Sequence, residues 1–145
     1  MSKTFYLEHF KTIPKEYEDI LYRGISEGAF QAKGLPPIQG FSVFIKDQMG
    51  SVRGGVSGII FYGSLYVDSL CIEKALRGKG WGTKLMKEAE KIGIDSGCRF
   101  ATLNTMDWEA LPFYQKLGYA IEFIREGYDN NSKMFMLRKT LHASK

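Results

Sequence analysis

A glycine-rich loop between an apolar strand and an amphipathic helix is the feature of this 145-residue chain that most constrains its fold. Residues 65–72 are almost continuously apolar, which is typical of a buried strand. Residues 81–92 then carry apolar side chains on one helical stripe and charged side chains on the opposite one. The glycines at positions 78, 80 and 82 permit a sharp turn, and the free N–H groups at the start of the helix converge on one spot. Such a junction favours a phosphate group.

Two common kinds of phosphate loop do not match this segment. Counted from Gly78, the P-loop pattern G-x-x-x-x-G-K-[ST] places Thr83 where its second glycine belongs. The dinucleotide pattern G-x-G-x-x-[GA] fails from either of its possible starting glycines. The pattern [QR]-x-x-G-x-[GA] does fit, through Arg77, Gly80 and Gly82. A generic nucleotide-binding loop is therefore disfavoured.

The remaining pattern predicts a mixed α/β fold with antiparallel strands first and one parallel step. Strands are predicted at residues 41–45, 52–61, 65–72, 99–103, 119–124 and 134–137, with a weaker candidate for an edge strand at residues 3–9. Helices are predicted at residues 14–34, at residues 81–92 with a stop at Gly97, and at residues 110–117, the last one capped by Asp107. Tight turns make the first three main strands a meander, whereas the helical crossover makes the fourth strand parallel to the third. No linker or repeat divides the chain, so we expect one domain over residues 1–145.

Composition excludes several classes of protein. The formal net charge of +4 suits an anionic ligand, but it is too small and too dispersed to indicate a nucleic-acid binder. Cys71 and Cys98 show neither metal-ligand nor disulfide-framework spacing, so we expect no metal. No run approaches the roughly 20 apolar residues of a membrane helix, and no signal peptide is recognised, so we expect no membrane partner. A reducing, cytoplasmic setting is the resulting expectation.

Two segments on either side of the loop carry a further pattern. Leu70-Cys71-Ile72 is similar to an L-x-[VI] strand motif, and residues 110–119 (ALPFYQKLGY) are similar to an A-x-x-F-Y-x-K-x-G-[FY] signature. Together with the [QR]-x-x-G-x-[GA] loop, these residues resemble small, stand-alone bacterial members of the GNAT family of N-acetyltransferases. The likeness extends from about residue 41 to residue 141. It implies the GNAT fold: a mixed central sheet of about six to seven strands, an antiparallel meander followed by one parallel step with splayed central strands, and about four flanking helices.

The resemblance also implies acetyl-CoA as the acyl donor and a set of cofactor-binding residues. In this family the pantetheine arm lies against the exposed backbone edge of the first splayed strand, whose N–H groups can also stabilise an oxyanion. The positions in this chain that match the family's cofactor site are Leu70, Cys71, Ile72, Arg77, Gly78, Lys79, Gly80, Trp81, Gly82, Thr83, Asn104, Asp107 and Tyr114.

Catalysis needs a proton donor for the departing thiolate and a means of making the amine neutral. Tyr114 stands at the family's general-acid position. Several members place a glutamate four residues before the leucine of the L-x-[VI] motif, but this chain has Tyr66 there. The candidates for the base are Asp68, which would share a face with Tyr66 and Leu70 in a regular strand, Glu73, or a water relay ending on Tyr66 or Asp107.

These residues predict an N-acetyltransferase that acts by direct attack of a primary amine within a ternary complex. The amine can belong to a small molecule, an antibiotic, a peptide or a protein, and the acyl group can be acetyl or longer. The alternative is a catalytically silent acyl-CoA-binding or sensing module, because the family's glutamate is missing. The apolar run Met134-Phe135-Met136-Leu137 can be an internal strand or a dimer interface, so a homodimer is a further candidate.

Overall fold

The computed structural model describes residues 4–142. The chain divides into two compact units, Met1–Pro37 and Ile38–Lys145. The first unit contains helix α1 (Lys15–Lys33), and the second contains a six-stranded sheet with two further α-helices. The single-domain organisation over residues 1–145 stays a prediction.

Helix α1 has the limits that its flanking residues predict. The Pro14 carbonyl accepts the N–H groups of Tyr17 and Glu18, and the helix ends at Gly34, whose φ of 66° places it in the left-handed region. The candidate edge strand at residues 3–9 is wrong for residues 4–9, which form no strand, and residue 3 lies outside the described part of the chain. A weakly alternating segment of this length forms a strand only where a neighbouring strand pairs with it.

The sheet has the strand order β1-β2-β3-β4-β6-β5. Its strands are β1 (Gln39–Lys46), β2 (Val52–Phe61), β3 (Ser64–Ile72), β4 (Phe100–Met106), β5 (Ala120–Tyr128) and β6 (Ser132–Thr140). Strands β1, β2 and β3 form the predicted antiparallel meander, and β3 pairs with β4 in parallel. Strands β6 and β5 complete the sheet in antiparallel pairing. The predicted mixed fold is confirmed.

Helix α2 (Trp81–Asp95) is the crossover between the two parallel strands and packs on the sheet. Its apolar stripe contributes Leu85, Met86 and Ala89 to the core. On the sheet side, the fully buried Leu65 comes so close to the helix that a Cβ on Gly93 would lie 3.3 Å from it. The glycine therefore allows the helix to approach the strand closely.

Three α-helices are found in residues 4–142, together with two single turns of 3-10 helix, rather than about four flanking helices. One helix, α1, precedes the sheet, so the fourth helix that the resemblance implied is absent from this stretch. Helix α3 (Leu111–Lys116) begins late, as Pro112 in its first turn requires. Asp107 does not cap it: the N-cap residue is Ala110, and the Asp107 carboxylate instead accepts the backbone N–H of Lys133 at 3.1 Å. Among the described helices, none is both long and apolar enough to span a bilayer.

The two central parallel strands separate part-way along their length. Parallel pairing of β3 with β4 runs from the pair Ser64 and Phe100 to the pair Val67 and Leu103. Beyond these pairs, β3 remains paired with β2 and β4 remains paired with β6. The predicted splay is therefore confirmed, and each strand remains supported on its outer side.

A β-bulge lies at the point where the strands separate. Ser57 of β2 faces Ser69, but the next residue of β2, Gly58, faces Val67, so Asp68 is the extra residue of β3. The bulge shifts the alternation of β3 by one position. Residues 65 and 67 pack into the core before the bulge, and residues 70 and 72 pack against it afterwards. The expectation of a regular strand, with Leu70 on the face of Tyr66, is therefore wrong.

Gly58→Ala tests the bulge. A Cβ at Gly58 would collide with the carbonyl oxygen of Tyr66 and would lie 2.9 Å from the Phe41 ring. We expect a loss of about 1–3 kcal/mol in the free energy of unfolding, measured by urea denaturation, because the backbone must shift to accept the methyl group. The matched control is Gly40→Ala in the neighbouring strand, where the nearest atom is the Gly58 carbonyl oxygen at 3.9 Å. Equal stability of the two variants would contradict this account of the bulge.

Candidate active site

An open cleft of about 1060 Å³ begins where β3 and β4 separate. One wall is the second half of β3, another is the loop and first turn of α2, and a third is the end of β4 with the start of α3. Eleven of the thirteen residues predicted to bind the cofactor line it: Leu70, Cys71, Ile72, Arg77, Gly78, Gly80, Trp81, Gly82, Thr83, Asn104 and Tyr114. The structure thus brings together the strand, the loop and the tyrosine that the sequence singled out.

The glycine loop reaches the helix through two left-handed residues. Gly78 has φ 76° and Gly80, the N-cap of α2, has φ 86°. No side chain caps the helix, so its first N–H groups stay available on the cleft side. A Cβ at Gly82 would lie 3.1 Å from the Phe113 ring and 3.3 Å from Ile72 Cδ1. Glycine there lets the helix start lie close to both β3 and α3.

Positive charge is concentrated at the loop end of the cleft. Arg77 is the one cationic side chain among the described residues that line it. Its Nε donates a 3.0 Å hydrogen bond to the Ile72 carbonyl, which ties the guanidinium to the end of β3. Lys79 does not line the cleft, and the Lys84 ammonium lies 4.6 Å from the centre of the Trp81 ring. With the uncapped helix start, Arg77 makes this end suited to an anion.

Tyr114 lines the cleft from α3. It is 8% exposed, and its ring makes edge contacts with Phe113 at 5.1 Å and Tyr119 at 6.0 Å between ring centres. Burial, with a smaller effect from the negative charge of Glu109, raises the pKa of Tyr114 to about 12. The phenol is therefore protonated at neutral pH and can donate a hydrogen bond into the cleft.

A buried ionic network contacts Tyr114 through the ring of Tyr119. The Glu90 carboxylate of α2 accepts a 2.9 Å hydrogen bond from the Tyr119 hydroxyl and a 2.7 Å bond from Lys139 Nζ of β6. Burial and the Glu90 charge raise the pKa of Tyr119. Because the Tyr119 ring contacts the Tyr114 ring, the network connects the glycine-loop helix to the tyrosine of the cleft.

The candidates for the base have different surroundings. Asp68 lines the cleft and accepts a 3.4 Å hydrogen bond from Ser69 Oγ. Glu73 does not line it; two hydrogen bonds from the Arg53 guanidinium, at 2.6 and 3.0 Å, hold the pKa of this carboxyl below its usual value. Tyr66 also lies outside the lining, where burial and the charge of Asp68 raise the pKa of its phenol.

The remaining two cofactor predictions, Lys79 and Asp107, lie outside the cleft lining. The Asp107 carboxylate is engaged with the backbone of β6, because β4 continues three residues further than the sequence indicated. Asn104 does line the cleft, and its side-chain amide donates to the Tyr66 hydroxyl at 3.4 Å. Among the described residues, no cluster of three or more His, Cys, Asp and Glu side chains could hold a metal ion.

The cleft also contains residues that sequence reasoning did not assign to the site: Val67, Ser69, Leu76, Leu103, Thr105, Trp108, Glu109, Ala110 and Phe113. Most are apolar residues within or next to the motifs, and Trp108 is also a sequence candidate for a pocket wall or a helix cap. Glu109 is different, because it is an acidic residue directly before Ala110 of the signature. Its position next to that motif was the signal that could have identified it.

Comparison with known proteins agrees with this geometry. The sequence profile of the acetyltransferase (GNAT) family matches residues 6–119, which is most of the chain. The protein belongs to the GNAT family. Members of this family are acyl-CoA-dependent N-acetyltransferases that use acetyl-CoA as the acyl donor.

Three similar proteins illustrate the relationship. A blasticidin-S acetyltransferase of Streptomyces morookaense is 30% identical over 86 residues, which cover 59% of this chain and 63% of that relative. A 1.9 Å crystal structure of an acetyltransferase from Bacillus cereus has a TM-score of 0.74 at 24% identity, covering 94% of this chain and 100% of the other. A Bacillus anthracis structure solved in complex with acetyl coenzyme A has a TM-score of 0.65 at 15% identity, over 72% of this chain and 64% of that one. The match to the curated relative thus spans less than two thirds of its length.

Gly80→Val tests the loop. The left-handed φ of 86° strains any β-branched residue, and the added methyl groups would enter the space in front of the helix start. We expect acetyl-CoA binding, measured by isothermal titration calorimetry, to weaken at least 30-fold. The control is Gly50→Val in the turn before β2, where φ is 82° and no atom lies within 4 Å of the new Cβ. Similar affinity in wild type and Gly80→Val would refute the role assigned to the loop.

Proposed function

We propose that this protein is an N-acetyltransferase that transfers the acetyl group of acetyl-CoA to a primary amine in a ternary complex. The observation that carries the proposal is the cleft itself: it joins an uncapped, glycine-rich helix start to a protonated tyrosine along the unpaired side of β3. An acyl-CoA needs both ends, since its diphosphate is an anion and its sulfur must leave with a proton.

The residues of the cleft fit acetyl-CoA. The first-turn N–H groups of α2 and the Arg77 guanidinium suit the diphosphate. Residues 69–72 are paired with β2 on one side and face the cleft on the other, so their backbone is available to the amides of the pantetheine arm. A backbone N–H near Cys71 or Ile72 is the candidate for oxyanion stabilisation, for which one donor contributes about 3 kcal/mol. When bound, acetyl-CoA supplies a thioester carbonyl as the acyl donor, as its presence in the Bacillus anthracis structure supports.

Tyr114 serves as the hydrogen-bond donor to the departing sulfur. A pKa of about 12 makes the phenol a weaker acid than a thiol of about 8.5. Full transfer of its proton to a free thiolate is therefore uphill by about 3.5 pKa units, or roughly 5 kcal/mol. Tyr114 can accordingly stabilise the leaving sulfur by a hydrogen bond, but it needs a second proton source to complete the transfer.

Of the sequence-predicted candidates for the base, Asp68 alone lines the cleft, and we propose it as the carboxylate that attracts the acceptor's ammonium group and can accept its proton. An alkylammonium with a pKa near 10.4 is about 0.04% neutral at pH 7, so help with deprotonation matters. The class of acceptor follows from charge. Two carboxylates, Asp68 and Glu109, line the cleft, which favours a cationic amine as acceptor. Blasticidin S, which appears in the name of the Streptomyces relative, is one candidate to test.

A silent acyl-CoA-binding module is the second candidate, and Tyr66 in place of the family's glutamate is the observation that favours it. The two candidates differ in turnover. Release of the CoA thiol is measured with acetyl-CoA and blasticidin S, spermidine, a lysyl peptide or n-butylamine as acceptor. We expect at least one amine to raise release tenfold above background. Tight acetyl-CoA binding with background release for every acceptor would instead favour the module.

Tyr114→Phe tests the assigned donor. Removing the hydroxyl should lower kcat at least tenfold, while acetyl-CoA affinity stays within threefold, because the ring still packs against Phe113 and Tyr119. Since the pKa of Tyr114 lies near 12, the phenol stays protonated at all lower pH values, and the variant should keep the alkaline limb of the wild-type pH profile. Tyr62→Phe, in the turn between β2 and β3, is the control. Equal kcat in Tyr114→Phe and Tyr62→Phe would remove the donor role.

We also propose a homodimer formed through β5, one of the two edge strands of the sheet. Both of its faces are exposed, and it carries the exposed apolar residues Ile121, Phe123 and Ile124. If two copies of β5 pair antiparallel about the centre of Phe123-Ile124, Glu122 of each lies opposite Arg125 of the other. Sedimentation velocity should then give a dimer for the wild type and a monomer for Phe123→Glu; a monomeric wild type would contradict the proposed dimer.

We also propose a cytoplasmic location for the protein. The two free cysteines are consistent with a reducing compartment.

A further inference from the structure

Glu109 is a cleft carboxylate that no motif assigned. It lies in the turn between β4 and α3, three residues after β4 ends and five residues before Tyr114, and both side chains line the same cleft. Its Oε1 accepts a 2.7 Å hydrogen bond from the Met106 N–H, and its own N–H donates to the Met106 carbonyl at 3.0 Å. These two bonds fix the side chain at the end of the strand. Within residues 4–142 its second oxygen, Oε2, has no hydrogen-bond partner, so one oxygen is held and the other is available.

We propose that Glu109 accepts the proton released by the acceptor amine and returns a proton to Tyr114, so that the two residues form a proton route from nitrogen to sulfur. This role rests on the acetyltransferase function proposed above. It adds to that function a catalytic residue outside the sequence-predicted candidates.

The proposed route carries a proton from the amine nitrogen to the thioester sulfur through Glu109 and Tyr114. The ammonium first loses one proton to Asp68, which passes it to solvent, and the neutral amine nitrogen then attacks the thioester carbon, forming the C–N bond. As the C–S bond breaks, the sulfur keeps the electron pair. The extra proton on nitrogen moves to Glu109 Oε2, the Tyr114 hydroxyl gives its proton to sulfur, and the Glu109 carboxyl reprotonates the Tyr114 oxygen. The products are the N-acetylated amine and the free CoA thiol, with both side chains restored.

The surroundings of the pair explain why such a route is needed. Tyr114 alone is too weak an acid to protonate the thiolate, but a carboxyl group is a far stronger one. The Glu109 charge contributes to the raised pKa of Tyr114, so a proton on Glu109 lowers that pKa at the moment when the phenol must donate. The other titratable groups that line the cleft are Asp68 and Cys71 from β3 and Arg77 from the loop. Of these, Asp68 is the competing carboxylate.

The test compares Glu109→Gln with the wild type and with Asp68→Asn. The glutamine keeps the volume and an oxygen for the Met106 N–H but cannot take a proton. Release of the CoA thiol is followed from pH 5 to pH 10 with n-butylamine and with the less basic 2,2,2-trifluoroethylamine. A limb of the pH–kcat profile that belongs to an enzyme group stays at the same pH when the pKa of the amine changes. Glu88→Gln, on the exposed side of α2, is the control and should match the wild type. Far-UV circular dichroism and the acetyl-CoA dissociation constant report on folding.

In Glu109→Gln we expect kcat to fall at least 30-fold and the amine-independent acid limb to disappear, with acetyl-CoA affinity within threefold of wild type. In Glu109→Ala, added formate should raise kcat at least tenfold. This variant provides the test if Glu109→Gln does not fold. A kcat within threefold of wild type, or loss of the acid limb in Asp68→Asn but not in Glu109→Gln, would overturn the assignment. Absence of turnover in the wild type with every amine would instead overturn the acetyltransferase function and this role together.

Discussion

The end of hydrogen bonding between β3 and β4 is the constraint on which the rest of the structure depends. Two parallel strands in the middle of a sheet would ordinarily pair along their whole length, since unpaired buried backbone groups are costly. Here β3 stays paired with β2, and β4 stays paired with β6, so the sheet remains continuous on both sides. A gap opens between β3 and β4 from Val67 to the end of β3. The extra residue Asp68 marks the start of that gap. The free edge of β3 can form hydrogen bonds with a ligand that contains amide groups, in place of the missing hydrogen bonds with β4.

The two ends of the cleft are specified in different ways. At the loop end the groups that the helix start presents are main-chain N–H groups, so the sequence there is constrained chiefly by the left-handed conformations of Gly78 and Gly80. Elsewhere in the cleft the polar groups belong to side chains, among them Tyr114 and the carboxylates of Asp68 and Glu109. The cofactor end can therefore be recognised by a backbone motif, whereas the acceptor end has to be read from individual residues.

This difference explains how much the sequence could predict. Periodicity and turn residues located the meander, the crossover helix and the parallel step, and motif register located eleven cleft residues. The features that could not be predicted depend on which residues of neighbouring strands pair and on where each strand ends. The bulge at Asp68 is a single extra residue in an otherwise ordinary apolar strand, and no local signal distinguishes it. Asp107 resembles a helix cap in sequence, but a longer β4 engages it with β6. Glu109 adjoins a recognised motif, but its place in the cleft depends on where β3 and β4 separate.

The Glu90 network has a consequence for how this chain can change. Its three members come from α2, from the residue before β5 and from β6, which are far apart in sequence but share one buried carboxylate. Replacing Glu90 or Lys139 alone leaves a charge without its partner in a mostly buried place, which is strongly destabilising. The three positions should therefore vary together among descendants of this sequence. A chimera that imports α2 from a relative without the matching β6 would inherit a loosened support behind Tyr114.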